Sequence, residues 1–79
     1  MLMETIRIAI TDDHPMMLSG LKHALETYRH IRVTDLYPNG QALLDGLQKS
    51  IPDVLLLDVH LPDIPGDELT RIITRKYPS

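Results

Sequence analysis

The chain has 79 residues, no cysteine and a formal net charge of −3. This length fits one small domain of marginal stability, and the lack of cysteine excludes disulfides and thiolate metal sites. The eight basic residues form no stripe that could neutralise several phosphates, so we expect no direct nucleic-acid binding. The longest aliphatic run, Val54–Leu57, is too short to span a membrane, and we expect a cytoplasmic protein.

The first strand and the first helix are marked by two different periods of apolar residues. Ile6, Ile8 and Ile10 alternate with the small Ala9 between them, which predicts a strand buried on both faces. A helix is predicted from Pro15, a favourable first-turn residue. Its apolar stripe has helical spacing and consists of Met17, Leu18, Leu21, Ala24, Leu25 and Tyr28.

The second and third units are predicted in the same way. Ile31 and Val33 alternate with polar residues and predict a short strand that ends before a turn at residues 38–40. Asn39 is placed to cap the next helix, which runs to about residue 50. Val54–Leu57 predicts a third strand, and a third helix then runs to about residue 76. The apolar stripes of these two helices are Leu43, Leu44 and Leu47, and Leu69, Ile72 and Ile73.

This order of elements indicates the fold class. Three strand–helix units joined by short connections favour parallel strands with right-handed crossovers. The helices would cover both faces of the sheet, which gives a three-layer α/β sandwich. The sequence shows no repeat, low-complexity stretch or interdomain linker, so we expect one domain over residues 1–79.

Three acids follow two of the predicted strands. Asp12 and Asp13 come after the first strand, and Asp58 comes after the third. The carboxyl ends of parallel strands share one edge of the sheet, so these side chains should converge if the two strands are neighbours. A cation would relieve their repulsion, and an open set of oxygen donors suits Mg²⁺ or Mn²⁺. Asp58 is the carboxylate best placed to attack a phosphoryl group beside that metal.

Each of these residues also has a simpler interpretation. An Asp pair before a helix is commonly a capping feature, and an Asp after an apolar strand is commonly a loop residue. The conjunction of the three acids with a following loop rich in Pro and Gly favours a functional site. Zinc bound by His14 and His60 is not favoured, since capping or solvent exposure accounts for each.

The sequence resembles the receiver domains of two-component response regulators, in the subclass with a LuxR-type helix-turn-helix output. Residues 8–21, IAITDDHPMMLSGL, resemble the first strand and helix of that subclass. Residues 52–66, PDVLLLDVHLPDIPG, resemble the phosphoacceptor strand and its loop, which Pro62 and Gly66 would shape. Residues 39–43, NGQAL, match the start of the second helix. The resemblance implies a flavodoxin-like receiver fold with only the first three strand–helix units present.

Carried over by position, the resemblance assigns roles to the acids. It implies that Asp58 is phosphoacceptor and metal ligand, Asp13 a direct magnesium ligand and Asp12 a ligand through water. The backbone carbonyl of His60 would complete the protein's share of the metal shell. A sensor histidine kinase would supply the phosphoryl group, and the receiver would control an output domain acting on transcription. In this role the chain is a phosphoacceptor and not an enzyme.

One part of the receiver pattern has no counterpart. Complete receivers carry a Ser/Thr and a Lys on two further strands, and neither Lys22 nor Lys76 follows a strand. We therefore expect a receiver truncated after the third helix, in which phosphorylation is slow or absent. The third strand would keep an unpaired edge, so we expect self-association through that edge or through exposed sheet faces.

Two functions remain open from the sequence. The first is a phosphoacceptor receiver, and the second is a truncated or pseudo-receiver that only binds other proteins and is not phosphorylated. A phosphatase of the haloacid-dehalogenase type is disfavoured, because it needs an Asp-x-Asp spacing whereas Asp12 and Asp13 are adjacent.

Overall fold

The computed structural model describes residues 4–78, along which strands and helices alternate in the predicted order. The strands are β1 (Ile6–Thr11), β2 (Ile31–Tyr37) and β3 (Val54–Leu57). The helices are α1 (Pro15–Leu25), α2 (Gly40–Leu47) and α3 (Gly66–Lys76). Every helix within residues 4–78 is too short or too polar to cross a lipid bilayer.

The strands form one parallel sheet in which β1 is central and the order is β2-β1-β3. β1 and β3 run in register from Ile8 opposite Val54 to Thr11 opposite Leu57. Because these strands are neighbours, the chain segments that follow Thr11 and Leu57 leave the sheet side by side. The predicted parallel α/β arrangement is confirmed, and it brings the segments that carry the acids together.

Helices cover both faces of this sheet, as expected for a three-layer sandwich. α1 packs on one face, where the buried side chains are Ile8, Ile10, Leu18 and Val33. α2 and α3 pack on the other face, where the buried side chains are Leu43, Leu47, Leu61 and Leu69. The alternation of β1 explains the division, because Ile8 and Ile10 point to α1 while Ala9 points to the opposite layer.

β2 contains an irregularity that reverses its faces. Its pairing with β1 skips Thr34, so that Val33 and Asp35 lie opposite consecutive residues of β1. In a regular strand Val33 and Tyr37 would share a face, but the extra residue turns Tyr37 to the layer of α2 and α3. The Tyr37 ring there lies over Gly46 of α2, where a larger side chain would collide with it.

α1 is shorter than its apolar pattern predicts. The pattern runs from Met17 to Tyr28, but the helix ends at Leu25, and the Tyr28 N–H is donated to the Leu25 carbonyl in a turn (3.1 Å). The prediction that Met17 and Tyr28 face the core was wrong, because both are more than half exposed. The helix ends early because the chain must turn to begin β2 beside β1, where the Ile6 N–H is donated to the His30 carbonyl (2.7 Å).

The start of α2 agrees with the sequence. Asn39 is its N-cap, and the Asn39 Oδ1 accepts the N–H of Ala42 at 2.8 Å. This bond satisfies one of the N–H groups that the first turn leaves without a helical partner. The cap fixes the direction in which the helix carries Leu43 and Leu47 into the core.

Replacing Leu43 with Ala tests this core. Leu43 is fully buried, so the substitution removes apolar contacts and leaves a cavity, and the free energy of unfolding should fall by about 2–5 kcal/mol. Urea denaturation followed by circular dichroism measures the change. Met16→Ala is the control, because Met16 is 88% exposed and its loss should cost no more than about 0.5 kcal/mol. Equal effects of the two substitutions would contradict the assignment.

Candidate functional site

The structure brings the three acids together at the carboxyl ends of β1 and β3. The backbone of Asp58 continues the sheet, since its N–H is donated to the Thr11 carbonyl (3.0 Å), and the Asp12 N–H is donated in the same way to Tyr37 (3.0 Å). One carboxylate oxygen each from Asp12, Asp13 and Asp58 and one ring nitrogen of His14 all lie within 4.8 Å of one another. The sheet thus positions a compact set of metal-binding atoms.

The ring of His14 belongs to this cluster, which the sequence reasoning missed. Its Nδ1 lies 2.7 Å from the Asp12 Oδ1 and 3.1 Å from the Asp13 Oδ1. The His14 backbone N–H is also donated to the Asp12 Oδ1, at 2.9 Å. His14 occupies the N-cap position of α1, but its side chain makes no capping bond and turns back toward the acids instead. Its place directly after two acids and before Pro15 was the available signal.

These contacts shift the pKa values of the two partners in opposite directions. The hydrogen bond to Asp12 and the charges of Asp13 and Asp12 raise the pKa of His14 above its ordinary value of 6.5. Burial opposes ionisation of Asp12, but the backbone N–H and the ring of His14 outweigh it, and the pKa of Asp12 falls below 3.8. The ring therefore favours the charged form of Asp12 in the metal-free protein.

The simpler interpretations of the acids hold only in part. Neither Asp12 nor Asp13 is the N-cap of α1, and the Asp12 oxygen accepts an N–H that precedes the helix. Asp58 does order its own loop, because its Oδ1 accepts the His60 N–H at 3.1 Å. The His60 ring is exposed and is not among the clustered donor atoms of residues 4–78.

The donor set fits a small divalent cation. Carboxylate oxygens are the protein ligands that Mg²⁺ and Mn²⁺ prefer. The side chain of Asp12 is 13% exposed and that of Asp13 34%, so an ion can reach the site while part of its shell is provided by the protein. Beside the acids, an open groove of about 250 Å³ runs between α1 and β3, with Met17 and Leu56 in its wall.

The loop after Asp58 is closely packed at its far end. Gly66 is buried, and its N–H is donated to the Val59 carbonyl at 3.1 Å. A Cβ at this position would lie 2.6 Å from the Val59 Cα, so no other residue fits without moving the backbone. Pro62 lies at the exposed outer side of the same loop.

Asp63 anchors this loop to the start of α2, which sequence reasoning also missed. Its carboxylate accepts the N–H groups of Gly40 and Gln41, each at 2.9 Å, and the N–H of Ile64 at 2.9 Å. The bonds from Gly40 and Gln41 lower the pKa of Asp63 below its ordinary value. Asp63 thus joins the loop that follows Asp58 to the α2 N-terminus, where a negative charge is favoured.

Comparison with known proteins identifies a matching family. The model of the response regulator receiver domain family matches residues 8–79. The transcriptional regulatory protein RcsB of Escherichia coli is 35% identical over 80 residues, which cover 98% of this chain and 37% of RcsB. MctR of Rhizobium johnstonii, also a transcriptional regulatory protein, is 33% identical over 73 residues, 92% of this chain and 34% of MctR. The chain therefore spans about a third of the length of these curated relatives.

Solved structures agree with these matches. The isolated REC domain of RcsB from Salmonella enterica serovar Typhimurium, in the presence of the phosphomimetic BeF3⁻, has a TM-score of 0.89 and 29% identity; the match covers 95% of this chain and 56% of that domain. The signal receiver domain of a NarL response regulator from Mycobacterium tuberculosis has a TM-score of 0.85 and 31% identity, over 95% of this chain and 60% of that one. The resemblance noted in the sequence is confirmed at the level of fold and family.

Substitution of Asp63 by Asn tests the anchor. An Asn keeps the shape but places a donor or a weaker acceptor against the N–H groups of Gly40 and Gln41, so the variant should be less stable at neutral pH. The pKa of Asp63 is lowered by folding, so its stabilisation is present above 3.8 and is lost as the pH falls through the folded-state value.

The stability gap between the parent chain and Asp63→Asn should therefore close on acidification. Urea denaturation at a series of pH values from neutral to below 3.8 measures it. Asp45→Asn is the control, because the Asp45 carboxylate accepts a bond from the Gln41 side chain and, within residues 4–78, accepts none from a backbone N–H. A gap that is absent at neutral pH, or that does not shrink in acid, would contradict the role of Asp63.

Proposed function

The chain belongs to the response regulator receiver domain family, and we propose that Asp58 is its phosphoacceptor, taking a phosphoryl group from a sensor histidine kinase beside a bound Mg²⁺ ion. The observation that carries this proposal is the convergence of Asp12, Asp13 and Asp58 at one edge of the sheet. In this role Asp58 is a phosphoacceptor within a signalling protein rather than part of an enzyme with a separate substrate.

The chain's own residues supply the nucleophile and the cation site. An oxygen of Asp58 forms a new P–O bond while the P–N bond of the kinase phosphohistidine breaks, and the electron pair stays with the imidazole nitrogen, which takes up a proton. The His60 N–H, 3.1 Å from the Asp58 Oδ1, orients that carboxylate. We assign Asp13 as a direct metal ligand, Asp12 as a ligand through water and the His60 carbonyl as a further ligand. A bound Mg²⁺ or Mn²⁺ ion would neutralise charge on the phosphoryl oxygens.

We place this chain within a longer receiver as its first three strand–helix units. The match to 56% and 60% of two receiver structures supports this placement. Further strands of a longer protein would supply the Ser/Thr and Lys that contact the phosphoryl group. The relatives are transcriptional regulators, and RcsB has been solved bound to promoter DNA, so we propose an output domain that controls transcription in the bacterial cytoplasm. This chain itself would not contact the DNA.

Phosphorylation of the chain tests this function. Incubation with acetyl phosphate and Mg²⁺ should add one phosphoryl group, slowly because no Lys here matches the one that contacts the phosphate in complete receivers. Intact-mass spectrometry over time measures the adduct. Asp58→Asn should abolish it, while Asp45→Asn, which changes an exposed acid of α2, should leave its rate unchanged.

A parent chain that never forms the adduct would contradict the phosphoacceptor role in this chain. That result would favour the second function left open by the sequence, a pseudo-receiver that only binds other proteins. An adduct that survives Asp58→Asn would place the phosphorylated residue elsewhere.

We also propose that these 79 residues, without the further strands of a longer receiver, associate with themselves through β3. Within residues 4–78 this strand pairs only with β1, so its other edge presents free N–H and C=O groups. Val54 on β3 is 42% exposed and Val59 just beyond it is 63% exposed, so apolar side chains lie beside that edge. Such an edge is a template for pairing with the same strand of a second copy.

Light scattering at micromolar concentration tests the association. The parent chain should give a mass above that of the monomer. Val54→Lys should lower it, because a charge on an edge strand opposes pairing. Met16→Lys adds the same charge at an exposed apolar position of α1, outside β3, and should leave the mass unchanged. A monomeric parent chain would overturn the proposal.

A further inference from the structure

We propose that the His14 Nδ1 is a direct protein ligand of the metal site when that site binds Mn²⁺ or a later first-row transition-metal ion. The inference rests on the proposed function, because it assumes a cation among Asp12, Asp13 and Asp58. It adds a donor of a different chemical class to three carboxylates. The affinities of the chain for Mg²⁺ and for Mn²⁺ would then differ more than they would at a site made only of carboxylates.

The position of the ring is the first observation. The His14 Nδ1 lies 2.7 Å from an oxygen of Asp12 and 3.1 Å from an oxygen of Asp13, so it faces two of the acids at once. Within residues 4–78, these are the only ion-pair contacts of the two acids, and no Lys or Arg approaches them. A cation placed among the acids would therefore meet an imidazole, which can release its proton and bind a metal, rather than a lysine or an arginine.

The spread of the donor atoms is the second observation. The four atoms, one each from Asp12, Asp13, His14 and Asp58, lie within 4.8 Å of one another. Opposite ligands of a six-coordinate ion are about 4.2 Å apart, twice the usual metal–ligand distance of about 2.1 Å. Side-chain movements of about half an ångström would let Asp13, His14 and Asp58 contact one ion directly, with Asp12 bound to it through water.

The backbone holds His14 ready for this role. Pro15 restricts the residue before it to extended conformations, and His14 has φ −100° and ψ 107°. The backbone N–H of His14 is tied to the Asp12 carboxylate, so only the side-chain torsions place the ring. The side chain is 69% exposed, so the ring is accessible to an ion from solvent.

The chemistry of the ring sets the preference. Mg²⁺ favours oxygen ligands and keeps its waters, whereas affinity for nitrogen donors rises from Mn²⁺ toward Ni²⁺ and Cu²⁺. The neutral ring would coordinate through the Nδ1 lone pair and keep its proton on Nε2. His14 should therefore add little to the binding of Mg²⁺ and measurably strengthen the binding of Mn²⁺.

Manganese itself is the probe. Pulsed electron paramagnetic resonance of Mn²⁺ bound to the intact chain should show a coupling to a ligand nitrogen, which His14→Asn should remove. Calorimetric titration should show that His14→Asn weakens Mn²⁺ binding by about tenfold or more and Mg²⁺ binding much less. His23→Asn changes an exposed histidine of α1 outside the cluster and should alter neither measurement.

The outcomes separate this inference from the function on which it rests. If Mn²⁺ binds, and Asp13→Asn weakens it, but the nitrogen coupling is absent or survives His14→Asn, then His14 is not a ligand and the carboxylate site stands. An equal loss of Mn²⁺ and Mg²⁺ affinity in His14→Asn would also overturn the preference. If the intact chain binds neither ion, the proposed metal site fails together with the inference.

Discussion

Repulsion among three carboxylates at one edge of a small sheet is the constraint that determines the properties of the site. Asp12, Asp13 and Asp58 are brought within a few ångströms because β1 and β3 are neighbours in register. Like charges at such distances disfavour the compact state unless a cation or a proton offsets them. In residues 4–78 the balancing group is His14, whose ring faces two of the three acids. Because the repulsion among the carboxylates is relieved when a cation binds, the same geometry favours cation binding at this edge.

The fold stabilises its carboxylates in two different ways. At the acidic edge, charge is offset by a side chain whose position Pro15 and the Asp12 carboxylate fix. In the loop beyond Asp58, the carboxylate of Asp63 is instead held by backbone N–H groups at the start of α2. The first leaves oxygens accessible to ligands, whereas the second uses its acid to fasten a loop. Asp12 and Asp63 are the same residue type, and their roles differ because a histidine contacts the first and backbone N–H groups of α2 contact the second.

The sequence predicted most of the fold because its apolar periods are local. The alternation of Ile6, Ile8 and Ile10 and the apolar run of β3 mark two strands, and Asn39 marks the start of α2. The convergence of the acids was predicted on the condition that the first and third strands are neighbours, which the structure shows. Their roles in phosphoryl transfer and metal binding stay predictions.

What the sequence did not reveal depends on contacts between segments. The end of α1 at Leu25 is set by the turn that leads to β2, although the apolar pattern continues to Tyr28. The ring of His14 and the anchor of Asp63 depend on rotamers and loop paths that no spacing encodes. Each was missed because a polar residue next to a helix or in a loop has several ordinary explanations.

The skipped residue of β2, Thr34, determines which face of the sheet each later residue of that strand occupies. Deleting Thr34 would restore regular alternation and leave Tyr37 over Gly46, because Val33, Asp35, Leu36 and Tyr37 already lie opposite the four consecutive residues Ile8–Thr11. The strand can therefore lose the residue at position 34 without moving Tyr37, whereas pairing Thr34 with β1 would shift every later residue of the strand to the opposite face. An alignment with a protein whose second strand is regular must open its gap opposite Thr34, since without that gap it would exchange the inward and outward positions from Asp35 to Tyr37.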